Sequence, residues 1–371
     1  YSQKLLQEYK MRKLLLTALA LTYSVMLVSV AKAEISFSGY QEFYGGSASQ
    51  TIQSGASTDT GVGISNSNFS GFSNGRFTRL TAQAKTTLDS GIEVVGTYNI
   101  SKDQDSGADA DTELVGVDQN DIIFSGGFGS VAIGQNFSAG TMMHFRGTTL
   151  VPTAEPDNDQ SNRFHTAGGA ARGYGRYDEA GYALDHMKIR YMSNVYEGFS
   201  FGISFAPCFE HGSNNASSTS CNGTTVHSEH SAYDDVTDMV LKYQGEFDGV
   251  GIGVTYGYQT GTTNIIAGTE YNNLAGQTLS AQLTYGGLTL IARNMDLGDS
   301  GQITANTDDG GEEANTYAGR YDMGNFSIGV ARVETEKGVT DQSAKNNAEY
   351  SVIGVGYNLG GGVNIETAYI T

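Results

Sequence analysis

The stretch GFSFGISFAP at 198–207 decides the fold class of the chain. Bulky apolar residues alternate with small ones along it, which is the period of a β-strand whose two faces meet different surroundings. In a soluble sandwich, the aromatic face would pack into a core and the small face would meet water. In a membrane barrel the assignment is reversed, because aromatic side chains touch lipid while the small polar face lines a wet interior. The two faces are Phe199, Phe201, Ile203 and Phe205 on one side, and Ser200, Gly202 and Ser204 on the other.

The composition favours the membrane barrel. Among 371 residues there are 50 Gly, only 3 Pro, 22 Tyr and 16 Phe, and charged residues make up 16%. Gly and Tyr at this level suit strands, tight turns and the aromatic rings found at membrane interfaces. A chain of this length usually holds two soluble domains, but a large barrel can occupy it as a single unit.

The first 33 residues are expected to lie outside the folded barrel. Residues 1–10 precede the first methionine and are interpreted as an upstream, non-native extension. Residues 11–33 combine two basic residues, an apolar run and a small-x-small cleavage site, which together indicate a secretory signal peptide. An uncleaved anchor helix is the alternative, although the apolar run is at the short edge of membrane-spanning length. The barrel would then occupy residues 34–371.

Cleavage after Ala33 would leave a strongly acidic chain. It removes five basic side chains and one acidic side chain, so that 16 basic and 39 acidic side chains remain and the net charge is −23. This charge argues against nucleic acid as a partner. No later apolar run approaches the roughly 20 residues of a transmembrane helix, so a membrane-embedded chain must form a closed barrel.

A fixed rhythm of hairpins runs through the rest of the chain. Seven short turns that contain glycine join alternating segments, and connections this short join antiparallel neighbours. Long polar loops separate the hairpins, and short turns at one rim with long loops at the other are typical of outer-membrane barrels. The count predicts fifteen strands. Because single-chain bacterial barrels have an even number, we expect a 16-stranded parent whose closing strand is missing here. The long loops are 46–75, 102–118, 137–185, 208–234 and 297–313.

Five segments carry a resemblance to a known family: EISFSGYQEFYG at 34–45, RLTAQAKTTLDSGIEVVGTYN at 79–99, IIFSGGFGSVAIGQNF at 122–137, IRYMSNVYEGFSFGISFAP at 189–207 and VIGVGYNLGGGVNIETAYIT at 352–371. On these segments the chain resembles the Gram-negative general porins, particularly their alphaproteobacterial branch. The resemblance implies an outer-membrane homotrimer of water-filled channels for small hydrophilic solutes and ions, in contact with lipid and lipopolysaccharide. It also implies that the third long loop, at about 137–185, folds into the lumen and constricts it.

The predicted constriction loop carries a cluster of acids. Glu155, Asp157 and Asp159 lie beside Pro152 and Pro156, which are two of the three prolines in the chain. Proline fixes φ and stiffens the loop, so the neighbouring carboxylates are held in place. We therefore expect these three acids to form one edge of the narrowest part of the pore.

An opposing basic wall is predicted from strand parity. Most cations that fall on strands alternate with the lipid-facing residues and so point into the lumen, where a charge keeps its water. Acids on one side and bases on the other would create a transverse field that sorts solutes by charge and dipole. The alternative is that these side chains merely solvate the wall. The predicted basic residues are Arg79, Lys85, Lys188, Arg190, Lys242 and Arg293.

The two cysteines, Cys208 and Cys221, flank a polar loop of 12 residues. In an oxidising compartment they are candidates for a disulfide, and two free thiols are the alternative. The nearby histidines show no metal-ligand spacing, so neither a metal nor a cofactor is predicted.

Two other classes of outer-membrane protein compete with a diffusion channel. A barrel enzyme would need a nucleophile and a base at one site. Both G-x-S-x-G matches, at 71–75 and 198–202, lack the strand-to-helix turn that a hydrolase elbow requires, so we do not expect an enzyme. A structural or adhesive barrel with a plugged lumen is the other alternative, and conductance would distinguish it.

Overall fold

The computed structural model describes residues 33–50, 69–105, 116–153, 187–209, 233–263, 269–305, 312–338 and 345–371. These residues form one sheet of fifteen antiparallel strands, in which each strand pairs with its neighbours in chain order. The strands are β1 (Glu34–Gln50), β2 (Phe69–Thr87), β3 (Glu93–Asp105), β4 (Gly116–Gly126), β5 (Gly129–Gln135), β6 (Met187–Met192), β7 (Phe199–Phe209), β8 (Tyr233–Phe247), β9 (Val250–Thr263), β10 (Leu274–Tyr285), β11 (Leu288–Asp296), β12 (Glu312–Met323), β13 (Phe326–Gly338), β14 (Lys345–Gly360) and β15 (Val363–Ile370). The predicted all-β antiparallel class and the fifteen strands are confirmed.

The first hairpin is longer than predicted. Residues 46–75 were expected to be a loop, but β1 continues to Gln50 and β2 begins at Phe69, with Gln50 paired to Phe69. A tilted strand needs only about 9–11 residues to cross the membrane, so this hairpin continues well beyond the span. The segment is rich in Ser, Gly and Asn and lacks apolar alternation, because its faces do not have to distinguish lipid from water there.

Short turns with two left-handed residues close several hairpins. Glu197 and Gly198 have φ of 48° and 86°, and Asp248 and Gly249 have φ of 50° and 77°. Positive φ at both central positions matches the twist of the flanking strands, and the second position is glycine in both turns. Such turns fix the register of the strands that they join.

The two faces of β7 separate as expected for a membrane barrel. Phe201 is 49% exposed on the outer face, whereas Ser204 is only 2% exposed on the inner face. Cross-strand pairing extends the pattern, because Phe201 lies opposite Leu241 and Ser204 lies opposite Asp238. Within the residues that the structure describes, no helix is long and apolar enough to span a membrane.

The inner face is not uniformly polar. A cluster of buried apolar residues joins residues of the inner wall with Val151, which belongs to the loop after β5. The expectation that hydrocarbon side chains point only outwards is therefore wrong for this region, because a loop that packs on the wall needs an apolar surface to pack against. The cluster includes Val236, Leu274, Met295, Val333 and Val352.

Candidate functional site: a loop across the inner wall

The loop after β5 lies on the inner face of the sheet from β6 to β15. Its described part, residues 136–153, contains a short helix, α1 (Ala139–Met143), and a 3₁₀ turn (Thr148–Leu150). Helix α1 contacts β6, β7 and β8, and the 3₁₀ turn contacts β12 and β13. One loop thus spans the concave side of ten consecutive strands, which places it where it can narrow a central passage.

Two buried cations hold the start of this loop. The ammonium of Lys188 donates to the carbonyl oxygen of Asn136, and Arg190 Nη1 donates to the carbonyl oxygen of Phe137 at 2.6 Å. Both side chains are buried, at 3% and 7% exposure. They point inward, as their parity predicts, but they bind loop backbone.

The first three amide groups of α1 all have acceptors. Ala139 N donates to Ser204 Oγ at 3.2 Å, and Gly140 N donates to Asp238 Oδ2 at 2.5 Å. Thr141 N donates to the N-cap side chain, Ser138 Oγ, at 3.2 Å. The first amides of a helix have no partner within the helix, so these side chains complete the hydrogen bonding of its first turn. Two of the three acceptors belong to the barrel wall.

A hydroxyl network holds the middle of the loop. His144 Nδ1 lies 2.6 Å from Thr255 Oγ1, which in turn lies 2.5 Å from Ser280 Oγ. The amide of Phe145 donates to the same Ser280 Oγ at 3.0 Å. Burial, followed by the nearby charges of Arg293 and Lys242, lowers the pKa of His144 well below its usual 6.5, so the imidazole is neutral.

This network brings a histidine and two hydroxyls together, which the spacing in the sequence did not indicate. Thr255 is fully buried and Ser280 is 1% exposed. Ser280 also accepts a hydrogen bond from the loop amide. A nucleophile must be reachable by its substrate, so this arrangement serves to dock the loop.

Two more of the predicted basic residues lie under the loop. Lys242 Nζ lies 4.4 Å from the centroid of the Phe145 ring, within the range of a cation–π contact. Arg293 is 3% exposed, and its Nη2 lies 3.9 Å from Met295 Sδ. Both side chains are on the inner face, where Arg293 is buried and Lys242 is half-buried against the loop.

The described loop ends against β13, β14 and β15. The carbonyl of Leu150 lies over Gly329, and that of Pro152 lies over Gly354, where any side chain would collide with loop backbone. Thr153 N donates to Glu366 Oε2 at 3.1 Å. Thr153 has a φ of 68°, which is strained for a β-branched residue.

The remaining predicted bases, Arg79 and Lys85, lie on the inner face of β2. The guanidinium carbon of Arg79 is 5.8 Å from the ring centroid of Tyr40 and 5.4 Å from that of Phe77. Lys85 Nζ is 2.6 Å from Glu93 Oε2, and both side chains are partly exposed. The contacts of the described loop residues run from β6 to β15, and Arg79 and Lys85, on β2, lie outside that range.

Some predicted site residues lie outside the part of the chain that the structure describes. Glu155, Asp157 and Asp159 lie in 154–186, beyond the described part of the loop. Cys208 belongs to β7, where it lies opposite Asp234, but Cys221 is outside the described residues. The acidic edge of the pore and the disulfide therefore stay predictions.

Sequence reasoning missed the wall residues that accept hydrogen bonds from the loop. They share the parity of the predicted cations: Asp238 alternates with Met239, and Ser204 alternates with Phe205. The same parity argument would have placed them inside had it been applied to acids and hydroxyls. The missed residues are Ser204, Asp238, Thr255, Ser280 and Glu366.

Comparisons with known proteins agree with this architecture. A sequence profile described as Gram-negative porin matches residues 16–370. The structure of Salmonella typhi OmpF in complex with daunomycin matches with a TM-score of 0.60 at 12% identity, over 91% of this chain and 90% of that chain. A multiple mutant of the porin from Rh. blastica matches with a TM-score of 0.52 at 14% identity, over 91% and 94%. At such identities the structural matches establish the fold alone. No curated protein matches the chain.

Proposed function

This chain belongs to the Gram-negative porin family, and from that premise we propose that it forms a water-filled channel through the outer membrane. Small hydrophilic solutes and ions would diffuse through it passively, without covalent chemistry. The observation that carries this proposal is the course of residues 136–153, which are bonded to the inner wall from β6 to β15. A loop held in this way narrows a lumen and leaves a passage on its free side.

We place the passage between the loop and the inner faces of β1 to β3. Polar side chains occupy this wall, with Arg79 and Tyr40 opposite one another on neighbouring strands and Gln83 bonded to Thr97. A polar wall lets a solute exchange its water for hydrogen bonds, and an apolar solute gains nothing there. Size and polarity would therefore be the first filters.

Charge is the second filter in this proposal. Arg79 and Lys85 would supply the basic side of the field, and Glu155, Asp157 and Asp159 on the later part of the loop would supply the acidic side. Lys188, Arg190 and Arg293 contribute less, because each is buried beneath or beside the loop. Opposed charges across a narrow aqueous gap orient dipolar solutes and disfavour ions of one sign.

Assembly and export complete the proposal. We expect a homotrimer, as the resemblance to general porins implies, and removal of residues 11–33 by signal peptidase during export. Mass spectrometry of the protein from outer membranes would test the cleavage, with Glu34 as the expected first residue. Cross-linking in detergent would test the trimer.

Single-channel recording tests the channel itself. The full-length chain, refolded into planar bilayers, should give stepwise currents that rise linearly with voltage. A folded barrel that conducts no current would contradict the proposal and favour a plugged structural barrel. Hydrolysis of an ester or peptide substrate by the purified protein would favour an enzyme.

A further inference from the structure

A group of four buried charges surrounds the start of the loop. Asp121 on β4, Lys188 and Arg190 on β6, and Asp238 on β8 are each less than 9% exposed. Arg190 and Lys188 both interact electrostatically with Asp121, and Lys188 also interacts with Asp238. Buried charges are costly unless they are paired and hydrogen-bonded, so this group has to be specifically arranged.

Each of three members makes a bond to loop backbone. Lys188 and Arg190 donate to the carbonyls of Asn136 and Phe137, and Asp238 accepts from the amide of Gly140. The donors therefore meet carbonyl groups and the acceptor meets an amide, at successive points of one segment. Such complementarity fixes both the position and the direction of the chain between residues 136 and 140.

Asp238 lies at the end of a row of inner-face residues that pair across neighbouring strands. Arg190 lies opposite Ser204, and Ser204 lies opposite Asp238, so one row of inner-face residues crosses β6, β7 and β8. Ser204 and Asp238 accept from consecutive amides, those of Ala139 and Gly140. Of these two acceptors, Asp238 carries a charge, and hydrogen bonds to charged groups are about twice as strong as neutral ones.

We propose that Asp238 is a positioning residue for the constriction loop. Its carboxylate holds the first turn of α1 against β8 and thereby keeps the channel at a single open level. This inference adds a structural role to the proposed channel function. Its effect on conductance depends on that proposed function. Asp238 lies on the opposite side of the loop from the passage and acts on solutes only through the loop.

The chain offers a matched control for Asp238. Glu246 lies on the same strand and on the same inner face, eight residues nearer the turn, and is exposed. Glu246→Gln removes one carboxylate from the wall without touching residues 136–153. Asp238→Ala removes both the charge and the acceptor, and Asp238→Asn removes the charge but keeps an acceptor oxygen.

Hydrogen–deuterium exchange of the full-length protein in detergent tests the position of the loop whether or not the channel conducts. In Asp238→Ala, the exchange rate of the peptide that spans 136–147 should rise by about 10- to 100-fold. This rise corresponds to the loss of one hydrogen bond to a charged group. Asp238→Asn should be intermediate, and Glu246→Gln should equal the wild type. The amides of β7, β8 and β9 should stay protected in every variant.

Unchanged exchange of 136–147 in Asp238→Ala would overturn the inference, and so would an equal rise in Glu246→Gln. If Asp238→Ala does not fold, Asp238→Asn decides the question, and exchange at the wild-type level would then count against the inference. Single-channel recordings test the effect on function. Asp238→Ala should switch between several conductance levels, whereas the wild type should show one. A silent wild type would contradict the channel function alone, because the exchange result stands without it.

Discussion

The ammonium of Lys242 lies against the ring of Phe145, with Nζ 4.4 Å from the ring centroid. Lys242 was predicted to belong to the basic wall of the pore, and it lies on the inner face of β8. The loop nevertheless packs against it and leaves it half-buried. Strand parity indicates which face a cation occupies, but only the path of the loop determines whether that cation meets the passage.

Replacing Arg79 should change ion selectivity more than replacing Lys242. Arg79→Gln removes a charge from the wall that borders the proposed passage, and at about 8 Å in water a unit charge contributes about 0.5 kcal/mol, or about twofold in relative ion occupancy. The reversal potential in a salt gradient should therefore shift towards cations. Lys242→Gln is the control and should shift it less. A larger shift for Lys242→Gln would contradict the proposed position of the passage, between the loop and β1 to β3.

Adding one methyl group to β13 should push the loop into the passage. A Cβ at position 329 would lie 2.5 Å from the carbonyl oxygen of Leu150 and 2.8 Å from Val151 Cα, so Gly329→Ala forces loop backbone to move. Such overpacking costs about 1–3 kcal/mol. Single-channel conductance should fall. Gly96→Ala is the control, because its Cβ would meet a single atom at 4.0 Å. Equal conductance in all three proteins would contradict the docking of the loop on β13.

Acid should loosen the loop through His144. Its pKa is lowered in the docked loop by burial, then by Arg293 and by Lys242, whereas a released imidazole has the ordinary value of 6.5. A base with a lowered pKa binds fewer protons in the docked state. Docking is therefore unaffected above pH 6.5 and weakens below it, by about 1.4 kcal/mol per pH unit.

The measurement is exchange of residues 136–147 at pH 7.5 and pH 5.5, corrected for the intrinsic effect of pH. His144→Asn keeps a side-chain group near the Nδ1 position and does not titrate, so its corrected exchange should rise less at pH 5.5 than that of the wild type. The same acid-induced rise in His144→Asn and in the wild type would assign the effect to another group.

A charge on the outer face should be far more costly than one on the inner face. Leu283 is 47% exposed on the outer face of β10, and its neighbour Gln282 points inward. Leu283→Lys should destabilise the barrel by about 2–4 kcal/mol if it lies near the bilayer midplane, and Gln282→Lys should cost less. Urea unfolding in lipid vesicles measures the difference. A larger destabilisation by Gln282→Lys than by Leu283→Lys would show that the outer and inner faces have been assigned the wrong way round.

The alternation of bulky apolar with small polar residues, as in Phe201 and Ser204 on β7, was sufficient to predict the class of fold and the outer face of most strands. It was sufficient because lipid and water impose opposite requirements on the two faces of each strand. The extension of β1 to Gln50 was missed because both faces meet water there, so no apolar period marks the strand.

The site was less predictable than the barrel. Asp238 could have been placed inside by parity, but its bond to Gly140 joins residues 98 positions apart and depends on where the loop crosses the wall. The inner apolar cluster around Val151 could not be predicted by a rule that assigns all bulky apolar residues to lipid. Both features arise from a tertiary contact between loop and wall.

Modification of two engineered cysteines on β2 tests whether the inner face of the sheet lines a water-filled passage. Thr81 lies on the inner face, opposite Ser38, and Thr78 lies on the outer face, opposite Gln41. Thr81→Cys and Thr78→Cys are each placed in a Cys208→Ser, Cys221→Ser background, and a negatively charged methanethiosulfonate reagent is added during single-channel recording. We expect the reagent to lower the current through Thr81→Cys and to leave the current through Thr78→Cys unchanged. Block of Thr78→Cys with Thr81→Cys unaffected would show that the inner and outer faces have been assigned the wrong way round.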